Sequence, residues 1–196
     1  KSRLIILTIS ISIVILFSIL TIQRNQIWAS EVNLWNDTLK KSPNKLRPII
    51  NLAHAYTTFG SFDLAIQYYE KAMSINSKIF TTNYNLGNLY LERGREKEAI
   101  ALLETAVLIR PNNPEVNLLL GEIYLKRKKI SMAEIYFRKA VELNPNYALA
   151  MKNLGIIYYF HLKKIKEAVV YFSRSLSISP NQQGADNIRI LIKSIK

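Results

Sequence analysis

The sequence predicts an all-α protein: an N-terminal apolar helix of transmembrane type, then a right-handed solenoid of about four helical hairpins with a C-terminal capping helix. Two observations predict it. Leu4 to Ile22 is 19 residues without a charge. Downstream, Leu52, Leu86, Leu120 and Leu154 stand 34 residues apart, each followed by a small residue. The domain boundaries that follow are 1–24 for the apolar helix and 25–45 for a linker with an unpaired capping helix. Repeats then occupy 46–79, 80–113, 114–147 and 148–182, and a last helix occupies 183–196.

The apolar segment comes first. Nineteen helical residues rise roughly 28 Å, close to the hydrocarbon thickness of a bilayer. Fourteen of them are Leu, Ile, Val or Phe, which favours insertion by about 4–8 kcal/mol. The polar ones, Thr8, Ser10, Ser12, Ser18 and Thr21, are small enough to bond back to their own helix. Leu4, Ile11, Phe17 and Ile22 mark the span as a membrane or assembly helix. Two environments suit it: lipid, or a bundle of identical helices in the core of a filament or pilus. Lys1 and Arg3 flank one end and Arg24 the other, so flanking charge does not set the topology. A start at Lys1 instead of Met is what a processed product or a fragment would show. Trp28 suits a membrane interface, although Trp28 and Trp35 are better read as packing under the first repeat.

The capping helix spans Ser30 to Ser42, with Trp35, Thr38 and Pro43 at positions used late in each repeat. Within the repeats, Tyr56, Tyr90, Tyr124 and Tyr158 recur. Ala65, Ala99 and Ala133 recur likewise, with Ala168 one residue late. Large residues follow at Tyr69, Leu103, Phe137 and Phe172, then Ala72, Ala106, Ala140 and Ser175, then Ser77, Pro111, Pro145 and Pro180. Small residues let the first helix of a hairpin (helix A) approach the second (helix B). Large ones fill the hole, and proline ends helix B because it cannot continue a helix. Gly60 and Gly94 fall in A–B turns, and one extra residue falls near Lys163–Lys166. No hairpin buries its apolar face alone, so neighbours must stack and the ends need caps. Ile188, Leu191 and Ile195 give the last helix one apolar stripe.

This spacing is identified as that of the tetratricopeptide repeat (TPR) family. The departure is at the family's Trp position, which reads Ile49, Asn83, Asn117 and Met151. The resemblance implies a non-catalytic scaffold that takes protein partners in a groove lined by helix A. Projected here, that groove offers Asn51 and His54; Tyr84, Asn85 and Asn88; Leu118; then Lys152, Asn153, Ile156 and Tyr159. Asn51, Asn85 and Asn153 share one repeat position and suit an extended peptide backbone. The carboxylate clamp of chaperone-binding relatives needs Lys and Arg on the third helix A, where this chain has Glu115 and Leu119.

The A–B turns make a candidate basic edge: Arg93, Arg95 and Lys97; Lys126, Arg127, Lys128 and Lys129; Lys163, Lys164 and Lys166. With a net charge of +13, the chain favours acidic proteins or anionic lipid heads over basic partners. Nucleic acid is disfavoured, because no aromatic residues interleave these runs. Cysteine is absent and only His54 and His161 are histidines. No metal, phosphate-loop or nucleophile–base pattern emerges, so no cofactor and no enzyme activity are expected.

Residues Arg24-Asn25, Trp28, Leu34-Trp35-Asn36-Asp37 and Ser42-Pro43-Asn44-Lys45-Leu46-Arg47-Pro48 resemble one further junction. It is that between the last membrane helix and the TPR tail of multi-pass O-mannosyltransferase-like membrane proteins. That resemblance implies an extracytoplasmic repeat domain at the membrane or cell envelope, or an accessory tail of a glycosyltransferase-like protein. It carries over no catalytic residue. Three readings follow: an anchored scaffold for protein partners, a self-assembling subunit of an extracellular filament, and the accessory tail.

Overall fold

A computed structural model describes residues 11–20 and 30–195. All regular structure among them is helical. Residues 11–20 form a helix, α1. The rest are α2 (Glu31–Lys41), α3 (Leu46–Thr58), α4 (Phe62–Ile75), α5 (Phe80–Glu92), α6 (Glu96–Ile109), α7 (Pro114–Lys126), α8 (Ile130–Leu143), α9 (Ala148–Ile156), α10 (Ile165–Ile178) and α11 (Ala185–Ile195). The chain divides into two compact units, Lys1–Ser77 and Lys78–Lys196.

In the first unit, α2 lies against α3 and α3 pairs with α4. Ala53 and Tyr69, at the small and large positions of the hairpin, are both fully buried. Asn36 of α2 donates from Nδ2 to the Tyr56 hydroxyl at 3.5 Å, so the capping helix bonds as a helix B would. Ile11 and Phe17 lie in α1, whereas Leu4, Ile22 and Trp28 lie outside the described residues. Among the described residues no helix is long and apolar enough to cross a membrane.

In the second unit, α5–α6, α7–α8 and α9–α10 are the hairpins of the second to fourth repeats, and α11 packs on α10. One core runs through them, with Leu103, Phe137 and Phe172 at its large positions. Each such side chain contributes about 1.5–3 kcal/mol by leaving water. They fit because Gly87, Gly121 and Gly155 stand opposite. A Cβ on Gly121 would lie 2.6 Å from the Phe137 ring, and one on Gly155 2.5 Å from the Phe172 ring.

The departures from the family pattern have local causes. Asn83 and Asn117, at the Trp position, donate from Nδ2 to the carbonyls of Ile79 (2.9 Å) and Asn113 (2.8 Å), the residues capping their own helices. Asn113 in turn accepts the Val116 N–H at 2.9 Å, with Pro114 in the first turn. Ser175 replaces alanine because its buried hydroxyl donates to the Ala148 carbonyl at 2.8 Å.

Three A–B turns share one bonding scheme. Ser61, Arg95 and Lys129 donate their N–H groups to the carbonyls of Tyr56 (2.9 Å), Tyr90 (2.8 Å) and Tyr124 (2.9 Å). Gly60, Gly94 and Lys128 donate three residues back at 2.9–3.1 Å. These are Schellman turns, which need one left-handed residue. Gly60 and Gly94 supply it at φ 77° and 73°, and Lys128 at φ 57°. Glycine takes that shape without strain, whereas a residue with a Cβ meets about 1–2 kcal/mol.

In the fourth repeat Lys163 holds this place, also at φ 57°, but Lys164 reaches back six residues, to Tyr158, at 2.8 Å. Residues Ile157–His161 form a π-helical turn, with the Leu162 N–H on the Ile157 carbonyl at 3.0 Å. The extra residue is therefore absorbed inside helix A, ahead of the Lys163–Lys166 stretch to which repeat spacing assigned it. Widening one turn from a four-residue to a five-residue step takes up one residue without opening the hairpin.

Candidate partner-binding surfaces

Side chains from α5, α7 and α9 converge on one face of the second unit. Tyr84 stacks on Phe80 with ring centres 5.8 Å apart, and the Arg110 guanidinium lies 4.3 Å over the Phe80 ring. Tyr147, just before α9, has its hydroxyl pKa raised first by burial and then by Glu115, Tyr84 and Glu122. Tyr84 of α5 and Glu115 and Glu122 of α7 therefore act on one hydroxyl at the start of α9. Burial also pushes the Glu122 carboxyl up, while the Asn153 amide, at 3.3 Å, and the Lys152 charge pull it back.

The projected groove residues divide. Asn85, Asn88, Lys152, Ile156 and Tyr159 are partly exposed there. Leu118 is 7% exposed and belongs to the core. Asn153 is also 7% exposed, and its amide is turned onto Glu122 instead of a partner backbone. Asn51 is half-buried and His54 exposed on α3, in the first unit.

A cleft of about 370 Å³ lies between α9, the π-turn and α11, walled by Ile156, Phe160, Phe172, Ile188 and Leu191. Lys152 stands at its rim and donates to the Gln183 carbonyl at 3.4 Å. Sequence reading missed Tyr147, Phe160 and the α11 wall. Phe160 is exposed in the turn that carries the extra residue, and that irregularity was the available signal. A wider depression of about 580 Å³ lies on α8 among Ser131, Glu134, Ile135, Arg138, Lys139 and Glu142. Its charges alternate in sign, so it favours no one kind of partner.

The basic edge is partly self-paired. Arg95 meets Glu98 at 2.9 Å and also lies 3.7 Å over the Tyr90 ring. Arg127 meets Glu96 at 3.2 Å, which ties the turn after α7 to the start of α6. Lys129 and Lys164 stand 5.8 Å over Tyr124 and Tyr158 respectively. Arg93, Lys126, Lys128, Lys163 and Lys166 are exposed. Among the described residues, no three His, Asp or Glu side chains are grouped to hold a metal ion.

Tetratricopeptide repeat models match residues 57–123, 90–154 and 152–182. No curated protein matches the chain by sequence. Among solved structures, it is similar to YrrB, described as a TPR protein with an unusual peptide-binding site. The TM-score is 0.72 and the identity 24%, over 82% of this chain and 80% of that one. It is also similar to MamA from Desulfovibrio magneticus RS-1, with TM-score 0.68 and 20% identity over 78% of this chain and 85% of that one. The first TPR of Spaghetti (RPAP3), bound to an HSP90 peptide, matches with TM-score 0.54 and 28% identity. That match covers 59% of this chain and 92% of the other. What the chain shares with these structures is the fold. The chain belongs to the tetratricopeptide repeat family.

Proposed function

We propose that this chain is a non-catalytic scaffold that binds an extended segment of a protein partner along α5, α7 and α9. The observation that carries this reading is the face on which Asn153 of α9 meets Glu122 of α7 at 3.3 Å, beside an apolar cleft with Lys152 at its rim. Asn88 offers its amide to a peptide backbone, and on this face the two carboxylates, Glu115 and Glu122, against the positive charge of the chain as a whole, favour a segment carrying Lys or Arg. A large apolar side chain of that segment fills the cleft beside Ile156. YrrB and Spaghetti, which share the fold, are recorded with a peptide-binding site and a bound peptide. A chaperone C-terminus is a poor candidate, since Glu115 and Leu119 replace the cations such a carboxylate needs. An array of short peptides probed with the full chain tests the reading. Selection of basic peptides with one large apolar residue, lost in Glu122→Lys, supports it. Binding indifferent to peptide charge and to that substitution contradicts it.

The apolar segment is read as a bilayer anchor. Ile13, Val14, Ile15 and Leu16, which together go once round α1, are each 47–64% exposed. A helix apolar all round suits lipid better than a one-sided protein contact. The junction's resemblance to O-mannosyltransferase-like membrane proteins supports an extracytoplasmic placement of the repeats. Flotation of the full chain with neutral vesicles supports the anchor. Detergent-free fibres in negative-stain electron micrographs contradict it and favour an assembly core.

A further inference from the structure

We propose that the A–B turn edge of the second unit is an electrostatic docking surface for an anionic lipid bilayer. This goes beyond the peptide reading and uses none of its residues.

The first observation is an asymmetry within one stack. Helical hairpins present their A–B turns at one edge and their B–A loops at the other. Residues 92–98, 126–131 and 161–167 carry ten Lys or Arg and four Glu. Residues 78–79, 110–113, 144–147 and 179–184, at the other edge, carry two charged residues, Lys78 and Arg110. Solvation of turns, or a bias towards lysine across the chain, would charge both edges alike. The opposite loops are rich in asparagine and proline instead.

The second observation is backbone strain. Lys128 and Lys163 occupy left-handed positions at φ 57°, where the same turns of the first two repeats use Gly60 and Gly94. Lysine there is the more strained choice, made twice, and each time it puts a cation at the tip of a turn. Strain kept against an available glycine points to function.

The chemistry of the edge favours lipid. The third and fourth turns carry six Lys and one Arg. Lysine is a mobile point charge suited to a diffuse negative potential, whereas arginine predominates where phosphate or carboxylate is gripped in fixed geometry. Tyr90, Tyr124 and Tyr158 beside these cations are each 6% exposed, so these three rings offer no stacking platform to nucleobases, and Phe160 is a single exposed ring rather than a series of them. Neither Lys128 nor Lys163 lines the clefts of about 370 and 580 Å³ on α9–α11 and α8, so these tip cations are free of the clefts to meet a broad surface.

The chain has no cysteine, so one introduced thiol labels one site. Full-length Ser131→Cys, at the basic edge, and Asn112→Cys, at the other, each carry a fluorophore. Each is mixed with phosphatidylcholine vesicles, with or without about one-third phosphatidylglycerol, containing a head-group quencher. The proposal expects the Ser131 site to need at least about tenfold less lipid for half-quenching on the anionic vesicles. Molar salt should remove that difference, and the Asn112 site should show none. Replacing Lys126, Lys128, Lys129, Lys163, Lys164 and Lys166 by Gln should abolish it, and replacing all six by Arg should keep it. Thermal melts of both variants verify that they fold. Equal response on both lipids, equal response at Asn112, or an unaltered Gln variant overturns the proposal. So does a Ser131 response to polyglutamate or duplex DNA but not to anionic vesicles, which would assign the edge to an acidic macromolecule. Flotation with neutral vesicles is read separately and reports the anchor alone.

Discussion

Gly121 faces the Phe137 ring so closely that a Cβ would meet two ring carbons at 2.6 Å. The contact joins α7 to α8 and recurs between Gly155 and Phe172 at 2.5 Å. Between Gly87 and Leu103 the distance is 3.0 Å, to a flexible side chain. Alanine gains about 1 kcal/mol in helix propensity over glycine, but overpacking against a buried ring costs about 1–3 kcal/mol. Gly121→Ala and Gly155→Ala should therefore destabilise, and Gly87→Ala should be nearly neutral. Urea melts of the three variants check the order. Equal effects at all three sites would contradict the packing described.

The turn lysines give a prediction of opposite sign. Lys128→Gly and Lys163→Gly relieve left-handed strain of about 1–2 kcal/mol and give back about 0.5–1 kcal/mol to chain entropy. Each should raise Tm by a few degrees. A lower Tm in either variant would mean that the lysine side chain stabilises its turn.

Tyr124 and Tyr158 donate their hydroxyls to Glu104 and Glu134, each at 2.8 Å. Burial first, then these carboxylates, push each hydroxyl pKa from 10.0 to about 12. The folded state therefore holds these protons where the unfolded chain has lost them. Their stabilisation is complete below pH 10 and disappears as pH rises towards 12. Tyrosinate absorbance should show two hydroxyls ionising only with alkaline unfolding, and Tyr124→Phe should remove one of them. Titration of both near pH 10 in the folded chain would contradict the bonds.

The π-turn predicts tolerance to a deletion. Removing His161 should let Lys164 bond Tyr158 five residues back, as Lys129 bonds Tyr124. Stability should change by less than about 1 kcal/mol, since one strained turn is exchanged for a regular one. Removing Lys126 from the regular third repeat should cost several times more. Equal losses, read by circular dichroism melts, would put the extra residue elsewhere.

The repeats, their caps and the presence of one extra residue were legible because packing repeats every 34 residues. The position of the extra residue was not. Spacing locates an insertion only between matched landmarks, here Tyr158 and Ala168, and backbone bonding decides which turn widens. The buried Asn83 and Asn117 read as departures because their partners are carbonyls, which no side-chain pattern displays. Leu118 and Asn153 were projected onto the groove but are buried, although Tyr84 and Lys152, and Asn51 and Asn85, at the same two repeat positions, are partly exposed; burial there is set by how neighbouring hairpins cover a position, which one repeat does not encode. The convergence on Tyr147 depends on how successive hairpins stack, a rotation that no single repeat encodes.

The central claim is that the α5–α7–α9 face receives a peptide, and a binding titration tests it most directly. The best array peptide, dye-labelled, is titrated by fluorescence anisotropy against the wild-type chain, Asn88→Ala, Glu122→Gln and Ile156→Asp. Ile135→Asp, on the exposed face of α8, serves as the control. The account predicts that the three face substitutions each weaken binding by about tenfold, roughly 1.4 kcal/mol, and that the control leaves it unchanged. Unchanged affinity in all three, or an equal loss in the control, would contradict it.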